Sequence, residues 1–416
     1  MEQKQTNQRL RALAFSGLLA VSAGLGFSAA ANASELTGEV EYLARYFVEP
    51  PAWPGQVGND GTLASSDHML KVKLEYYQDW NGGDTRLVIT PVGRYIDGNA
   101  GFDRSDGDVE ELYLRQTVGN SDFYFGYRKI FWGVTESVHL VDIVNQSDVV
   151  EDIDLEDRLG QPMLQWSTFS DFGTFDVIVM PVFRERRLPE SEQRLRPFIP
   201  YLDDPLYEDS EGDEHVDVAI RWSQFIGDWD IGVSHFSGTA REPLFIPGLD
   251  GDGNAVLRPF YAQLDQTSVD LQATKGSWLW KLEVASRDQL DDRNTRLAGG
   301  FEYSFYGVQG SDADLGVIAE YLFDDAGDNA TSPFEDDIFI GGRLAFNDVA
   351  GSEILAGVFH DLDGEGRVYS VEASRRIGNS WKVALTARVF ESDEMTSLLY
   401  SFRQDDFLSF SVTKYF

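Results

Sequence analysis

The closing segment, Phe407–Phe416, alternates large apolar with small polar residues. Leu408, Phe410, Val412 and Phe416 fall on one face, and Ser409, Ser411 and Thr413 fall on the other. A period of two is the signature of a β-strand with unlike faces. The same period recurs along the whole chain, over 36–48, 68–80, 84–97, 109–118, 122–130, 162–170, 174–183, 215–226 and 228–239. It continues over 266–276, 278–288, 294–306, 312–324, 336–347, 352–361, 366–377, 380–391 and 406–416. Short turns alternate with long polar loops between these segments. The short ones include Asn81-Gly-Gly-Asp84, Gly119-Asn-Ser-Asp122, Ser170-Asp-Phe-Gly173, Ile226-Gly-Asp228, Lys275-Gly-Ser277 and Ile377-Gly-Asn-Ser380. Gly, Asn and Asp supply the positive φ that tight hairpins need. The connections 307–311 and 347–351 belong to the same side.

The two faces differ in kind. In the first five strands one face carries Val40, Tyr42, Tyr46, Leu70, Val72, Leu74, Tyr76, Leu87, Ile89, Tyr95, Leu112, Leu114, Phe123, Phe125 and Tyr127. The other carries Arg45, Lys71, Lys73, Arg86, Arg94, Arg115 and Arg128, with Glu39, Glu41, Glu75 and Glu111 among them. A cation facing hydrocarbon at mid-membrane costs roughly 2–4 kcal/mol, so this second face must line a wet interior and leave an excess of positive charge there. After Ala33 no run approaches the ~18 apolar residues of a spanning helix. In lipid every backbone polar group must be paired within the protein, so amphipathic strands can span only as a closed barrel. The expected fold is an all-β transmembrane antiparallel barrel of eighteen strands, or sixteen if 294–324 or 392–416 is parsed differently.

Composition sharpens the setting. Lys4, Arg9 and Arg11 precede a small and apolar stretch that ends in Ala31-Asn32-Ala33. Residues 1–33 are therefore expected to be a secretory signal peptide, and 34–416 the barrel. Net charge is −36, and −38 once the leader takes its three cations and Glu2 with it. So negative a chain is no partner for nucleic acid. It has no cysteine, hence no disulfide framework and no thiolate metal site. The terminal Phe416 resembles the assembly signal of Gram-negative outer-membrane barrels, although Lys414 stands where that signal has an aromatic and Tyr415 is displaced by one. The resemblance implies the cell outer membrane as location. It also implies the barrel assembly machinery, outer-membrane lipid and lipopolysaccharide as partners.

The segment 131–160 is the third long loop. Its acids Glu136, Asp142, Asp148, Glu151, Asp152, Asp154, Glu156 and Asp157 stand against Arg158. It also holds Val138, Leu140, Val141, Ile143, Val144, Val149, Val150, Ile153 and Leu155, which a solvated loop has no reason to carry. This order of parts resembles the general porins, in which the third loop folds into the barrel and narrows it opposite a basic wall. Phe131-Trp-Gly-Val-Thr-Glu-Ser137 followed by Asp142-Ile-Val-Asn145 also resembles a pattern in uncharacterised proteobacterial outer-membrane barrels. The alternative is an external loop packed on its neighbours or on another subunit of a homo-oligomer.

Other features add less. Asp250, Asp252 and Asn254 have calcium-loop spacing, but Ala255 replaces the glycine and Tyr261 the bidentate Glu, so a Gly/Asp turn is expected. Arg184-Glu-Arg-Arg187 through Arg196 reads as an external basic patch, open to lipopolysaccharide phosphates or to neighbouring acids. The five histidines show no paired spacing and no catalytic motif appears, so neither an enzyme nor a cofactor is expected. The leading function is passive or facilitated passage of small polar solutes, with a transverse field that favours polar or zwitterionic ones and slows apolar ones. The alternative is a non-channel barrel: an export-conduit component, envelope scaffold or surface receptor.

Overall fold

A computed structural model describes residues 33–53, 66–98, 106–191, 193–327, 331–332, 334–395 and 398–416; the leader lies outside them. Eighteen antiparallel strands form one sheet. In chain order they are Ser34–Phe47, Ser66–Trp80, Thr85–Gly98, Asp106–Val118, Ser121–Arg128, Gln161–Ser170, Gly173–Met180, Asp217–Ile226 and Trp229–Thr239. The second nine are Gln263–Lys275, Trp278–Gln289, Asp292–Phe305, Asp314–Asp324, Asp336–Ala345, Glu353–Asp361, Arg367–Ile377, Trp381–Glu391 and Phe407–Tyr415. No boundary departs from the expected one by more than three residues.

Closure is made by the first strand, which pairs with both the second and the last. Gly38 and Phe416 seal the seam, each N–H donating to the other's carbonyl at 2.9 and 3.0 Å. The Phe416 ring lies over Gly38, where a Cβ would come within 2.6 Å of it. A closed ring leaves no edge for backbone groups to face lipid unpaired. No helix among the described residues is long and apolar enough to cross a membrane.

The faces follow the alternation. Leu408, Phe410 and Phe416 are exposed outward, while Ser409, Ser411 and Thr413 are buried inside. Tyr42, Tyr46, Leu70, Tyr95, Leu112, Leu114, Phe123, Phe125 and Tyr127 are also exposed on the outer face. Trp278, Trp280, Phe301 and Tyr303 stack beside a short turn with ring centroids 4.6–5.6 Å apart, a girdle of the kind that sits at a membrane interface.

One irregularity positions side chains for the interior. The register between the third and fourth strands shifts at Thr90/Pro91, where Val109 and Glu111 are paired and Glu110 is the extra residue. This bulge lets Glu110 reach Lys73 at 3.1 Å and Lys129 at 3.5 Å.

The long loops hold structure that the pattern did not foretell. Leu244–Leu249 and Ala255–Tyr261 form a hairpin, and Leu206–Tyr207 adds a parallel strand outside the barrel. Asp250–Asn254 is the tip of this hairpin. The Asp250 carboxylate accepts from the Asp252 and Asn254 N–H groups at 2.9 and 2.8 Å and from the Asn254 amide at 2.8 Å, so the turn itself occupies it.

Candidate functional site

The third long loop runs inside the barrel. Its two stems are tied by Asn145, whose amide donates to the Arg128 and Leu159 carbonyls, both at 2.8 Å, and accepts from the Ile130 N–H at 2.8 Å. The first half of the loop docks on two buried wall carboxylates. Glu283, on the eleventh strand, accepts from the N–H groups of Val134 at 2.7 Å, Thr135 at 3.1 Å and Val141 at 3.2 Å, and from the Thr135 hydroxyl at 2.8 Å. Glu320, on the thirteenth, accepts from the Glu136 and Ser137 N–H groups and the Ser137 hydroxyl at 2.6–3.0 Å.

The second half docks on the other side of the ring. Lys71, on the second strand, meets Glu151 at 2.6 Å; Arg94, on the third, meets Asp148 at 2.9 Å and also Glu151. Asp152 lies 3.9 Å from both Arg45 and Arg388, and Asp154 lies 2.8 Å from Arg388. The second and eleventh of eighteen strands are opposite one another, so the loop bridges the full width of the lumen.

On one flank of this bridge Trp132, Val141, Ile143 and Val144 pack with Met163, Ile178, Met180, Ala219, Phe236, Ala240 and Leu264 into a dry core. Three of the loop's aliphatic residues, Val141, Ile143 and Val144, go into this core, while Val138, Leu140, Val149, Ile153 and Leu155 turn to the other flank. On the other flank lies a cavity of about 720 Å³ between the loop and the fourteenth to seventeenth strands. Arg343, Glu353, Glu372, Lys382 and Arg388 line it from the wall, and Glu136, Asp142, Asp154, Glu156 and Arg158 line it from the loop.

The expected basic wall is therefore divided. Arg45, Lys71 and Arg94 meet the loop's acids, but by direct contact and not across a gap. Lys73 turns to Glu110, Arg86 to Asp79 at 2.6 Å, Arg115 to the Gly83 carbonyl at 2.9 Å, and Arg128 to Gln165 and the Tyr124 ring. None of the seven lines the large cavity. The loop's acids divide as well. Asp148, Glu151, Asp152 and Asp157 stay off the cavity, while Glu136 faces Lys281 at 3.3 Å and Arg343 at 2.5 Å, and Asp142 faces Arg158 at 2.8 Å. The pattern of the first five strands named the wall nearest in sequence; ring closure supplies the wall that faces the opening. The mid-strand carboxylates Glu283 and Glu320, isolated on a lumen face, were the available signal for the docking site.

The arginines of 184–196 also turn inward, away from the outer leaflet. Arg184 meets Asp108 at 3.0 Å, Arg187 meets Asp106 at 2.5 Å and Asp148 at 3.5 Å, and Arg194 meets Asp405 at 2.7 Å. Neighbouring acids, one of the two expected partners, thus take these arginines, and Arg184, Arg186 and Arg187 also touch the loop at Gly160, Gln146 and Asp148.

Burial tunes the loop's titrating groups. Burial alone would raise Glu151, but Lys71 and Arg94 outweigh it and hold the carboxyl at about 2. His139 sits 3.0 Å from Glu156 and 3.9 Å from Glu283; burial opposes its charge, yet these carboxylates push it up to about 10. Burial and the charge of Asp152 push Asp154 up to about 7 despite Arg388, and burial and Glu151 push Asp157 up to about 6.

A pH dependence follows. Above pH 7 ionised Asp154 joins Asp152 and Glu372 around Arg388; below it Asp154 is neutral and the cavity loses one negative charge. Any cation preference measured as a bilayer reversal potential should therefore weaken between pH 8 and 5.5. The shift is not unfolding. Both folded-state values lie above the ordinary 3.8, so protonation favours the folded form, and the associated stability is full below about 3.8 and lost progressively as pH rises to about 6–7. Asp154→Asn should abolish most of the shift, and an unchanged pH profile in that variant would refute the assignment.

The chain thus forms a closed barrel of eighteen strands with its third long loop folded inward, a fold it shares with solved outer-membrane porins. Among solved structures, a BenF-like porin of Pseudomonas fluorescens Pf-5 is similar at 10% identity and TM-score 0.53, over 93% of this chain and 98% of that one. OccAB1 of Acinetobacter baumannii is similar at 8% identity and TM-score 0.53, over 92% and 95%. OpdQ of Pseudomonas aeruginosa is similar at 10% identity and TM-score 0.51, over 93% and 99%. At such identities the likeness is one of fold. No family model matches the chain, and no curated protein matches it significantly.

Proposed function

We propose that this chain is an outer-membrane channel for small polar solutes, without enzymatic activity. The observation that carries the reading is the extent of the cavity beside the bridging loop. Its lining begins at Tyr201, Phe245 and Phe402 on the long-loop side and reaches Ser374, Lys382 and Glu353, a few residues from the short turns. A barrel built only as a scaffold has no need of a lengthwise gap bordered by charge. The constriction in this reading is formed by Glu136, Asp154 and Glu156 of the loop against Arg343 and Arg388 of the wall. Arg45, Lys71 and Arg94 hold the loop. The seam at Gly38 and Phe416 is the edge that the assembly machinery would close last.

Planar-bilayer recording of the purified protein tests the proposal. Discrete conductance steps should appear, with weak cation selectivity at low salt. The many acids of the outer loops raise local cation concentration there, and the preference should fade as the screening length falls from about 10 Å at 0.1 M to about 3 Å at 1 M. A barrel that inserts yet carries no current, and that copurifies with a periplasmic or surface partner, would replace the channel by the scaffold or receptor.

A further inference from the structure

We propose that the passage selects amphipathic zwitterions, small solutes whose apolar body carries an ammonium and a carboxylate together; this rests on the channel reading. The first ground is a segregation along the four strands that face the cavity. At their long-loop ends the inward residues are Phe339, Phe359, Val368 and Phe390. Two to three inward positions nearer the short turns, or one in the case of Arg388, come Arg343, Glu353, Glu372 and Arg388. A solute entering from outside meets an apolar collar and then a charged band.

Most of the collar is covered by the outer loops, Val368 and Phe390 packing with Leu195 and Leu399, and the half-buried Phe359 is its most accessible ring. The Phe339 ring lies flat across the paired Gly341 and Gly357, and a Cβ at Gly357 would come within 2.5 Å of it. Phe359 packs on it with centroids 4.7 Å apart. Between collar and band the inward positions are Gly341, Gly357, Ser370 and the larger Leu355, so that two of the four strands present only a glycine or a serine there. Its size, about 720 Å³, lies within the roughly 300–1,000 Å³ typical of small-molecule sites.

The second ground is the balance of charge. Seven acidic side chains, seven Lys or Arg side chains and His139 line the cavity, and the central ones are already matched: Glu136 with Arg343 at 2.5 Å, and Arg388 with Asp154 at 2.8 Å and Glu372 at 3.3 Å. A solute of one sign gains one partner and strands the other. A zwitterion can offer a carboxylate to the guanidinium and an ammonium to its acid, so every buried charge keeps a partner. An apolar solute without charges would gain the collar only.

The test compares solutes of graded size and charge with the full-length protein in liposomes. A plain aqueous pore passes glycine faster than phenylalanine because glycine is smaller. Here phenylalanine should enter at least as fast as glycine, and in bilayers it should reduce ion current in a saturable way. Phenylacetate and phenethylamine, which share the ring but carry one charge each, should block several-fold less. Phe359→Ala should lower the ratio of phenylalanine to glycine entry several-fold. Ranking of all four solutes by size alone in the unaltered protein would overturn the inference while leaving the channel intact, and so would phenylacetate matching phenylalanine. Absence of any ion current would instead remove the channel reading, and this inference with it.

Discussion

Deleting residues 140–155 should raise single-channel conductance several-fold and admit solutes the intact protein excludes. The deleted segment contains the span of the bridge, from Val141 and Val144 in the core to Asp148 and Glu151 on the second and third strands. The barrel itself should still form, because its ladder of strand pairing and its seam at Gly38 and Phe416 involve none of these residues. Thermal stability should fall, since Met163, Ile178, Met180 and Phe236 lose their cover, at roughly 1.5–3 kcal/mol for each large apolar side chain returned to water. Selectivity should move toward anions, because Lys71 and Arg94 keep their charge and lose Glu151 and Asp148. The measurements are bilayer conductance, entry of a graded oligosaccharide series and heat-modifiable gel migration. Unchanged conductance in a folded deletion would mean that the bridge does not set the bore.

Glu283→Ala should give the largest effect of any single substitution on the quiet of the open channel. The change strands the N–H groups of Val134, Thr135 and Val141, of which the last two are buried, at about 1–3 kcal/mol per buried group. It also removes one of the two carboxylates beside charged His139. The near half of the bridge should then detach from the eleventh strand and fluctuate, so that current becomes noisier and larger on average. Glu283→Gln should be milder, because an amide oxygen still accepts hydrogen bonds. Glu320→Ala should fall between, since Glu136 remains held by Lys281 and Arg343. A Glu283→Ala channel as quiet as the parent would show that the apolar packing of Trp132 and Val141 suffices to hold the loop.

The barrel was legible because its signals are local. Alternation over ten residues names a strand and its faces, and Asn81-Gly82, with φ of 54° and 72°, names a tight turn. The inward fold of 131–160 was legible too, since valines among carboxylates demand a wall to pack on. Which wall was not legible, because contacts such as that of Thr135 with Glu283 join residues 148 apart through ring closure. Arg343 and Arg388 obey the same period as Arg45 and Lys71, but sequence neighbourhood favoured the first five strands. The outer hairpin Leu244–Leu249 escaped notice because it lies in a loop, off the rhythm of the membrane strands.

The bridging loop divides the ring into two districts with different freedoms. From the second strand to the eleventh, an inward side chain commonly belongs to a core, a salt bridge or an anchor, and any change there is taxed by folding. From the fourteenth to the seventeenth, many inward side chains border only the opening. Replacing Ser370, Thr386 or Lys382 there alters what a passing molecule touches without unpacking the loop. The barrel thus keeps a sector in which solute preference can drift one residue at a time while the rest of the circumference stays locked, a division of labour that a symmetric, evenly lined pore would not possess.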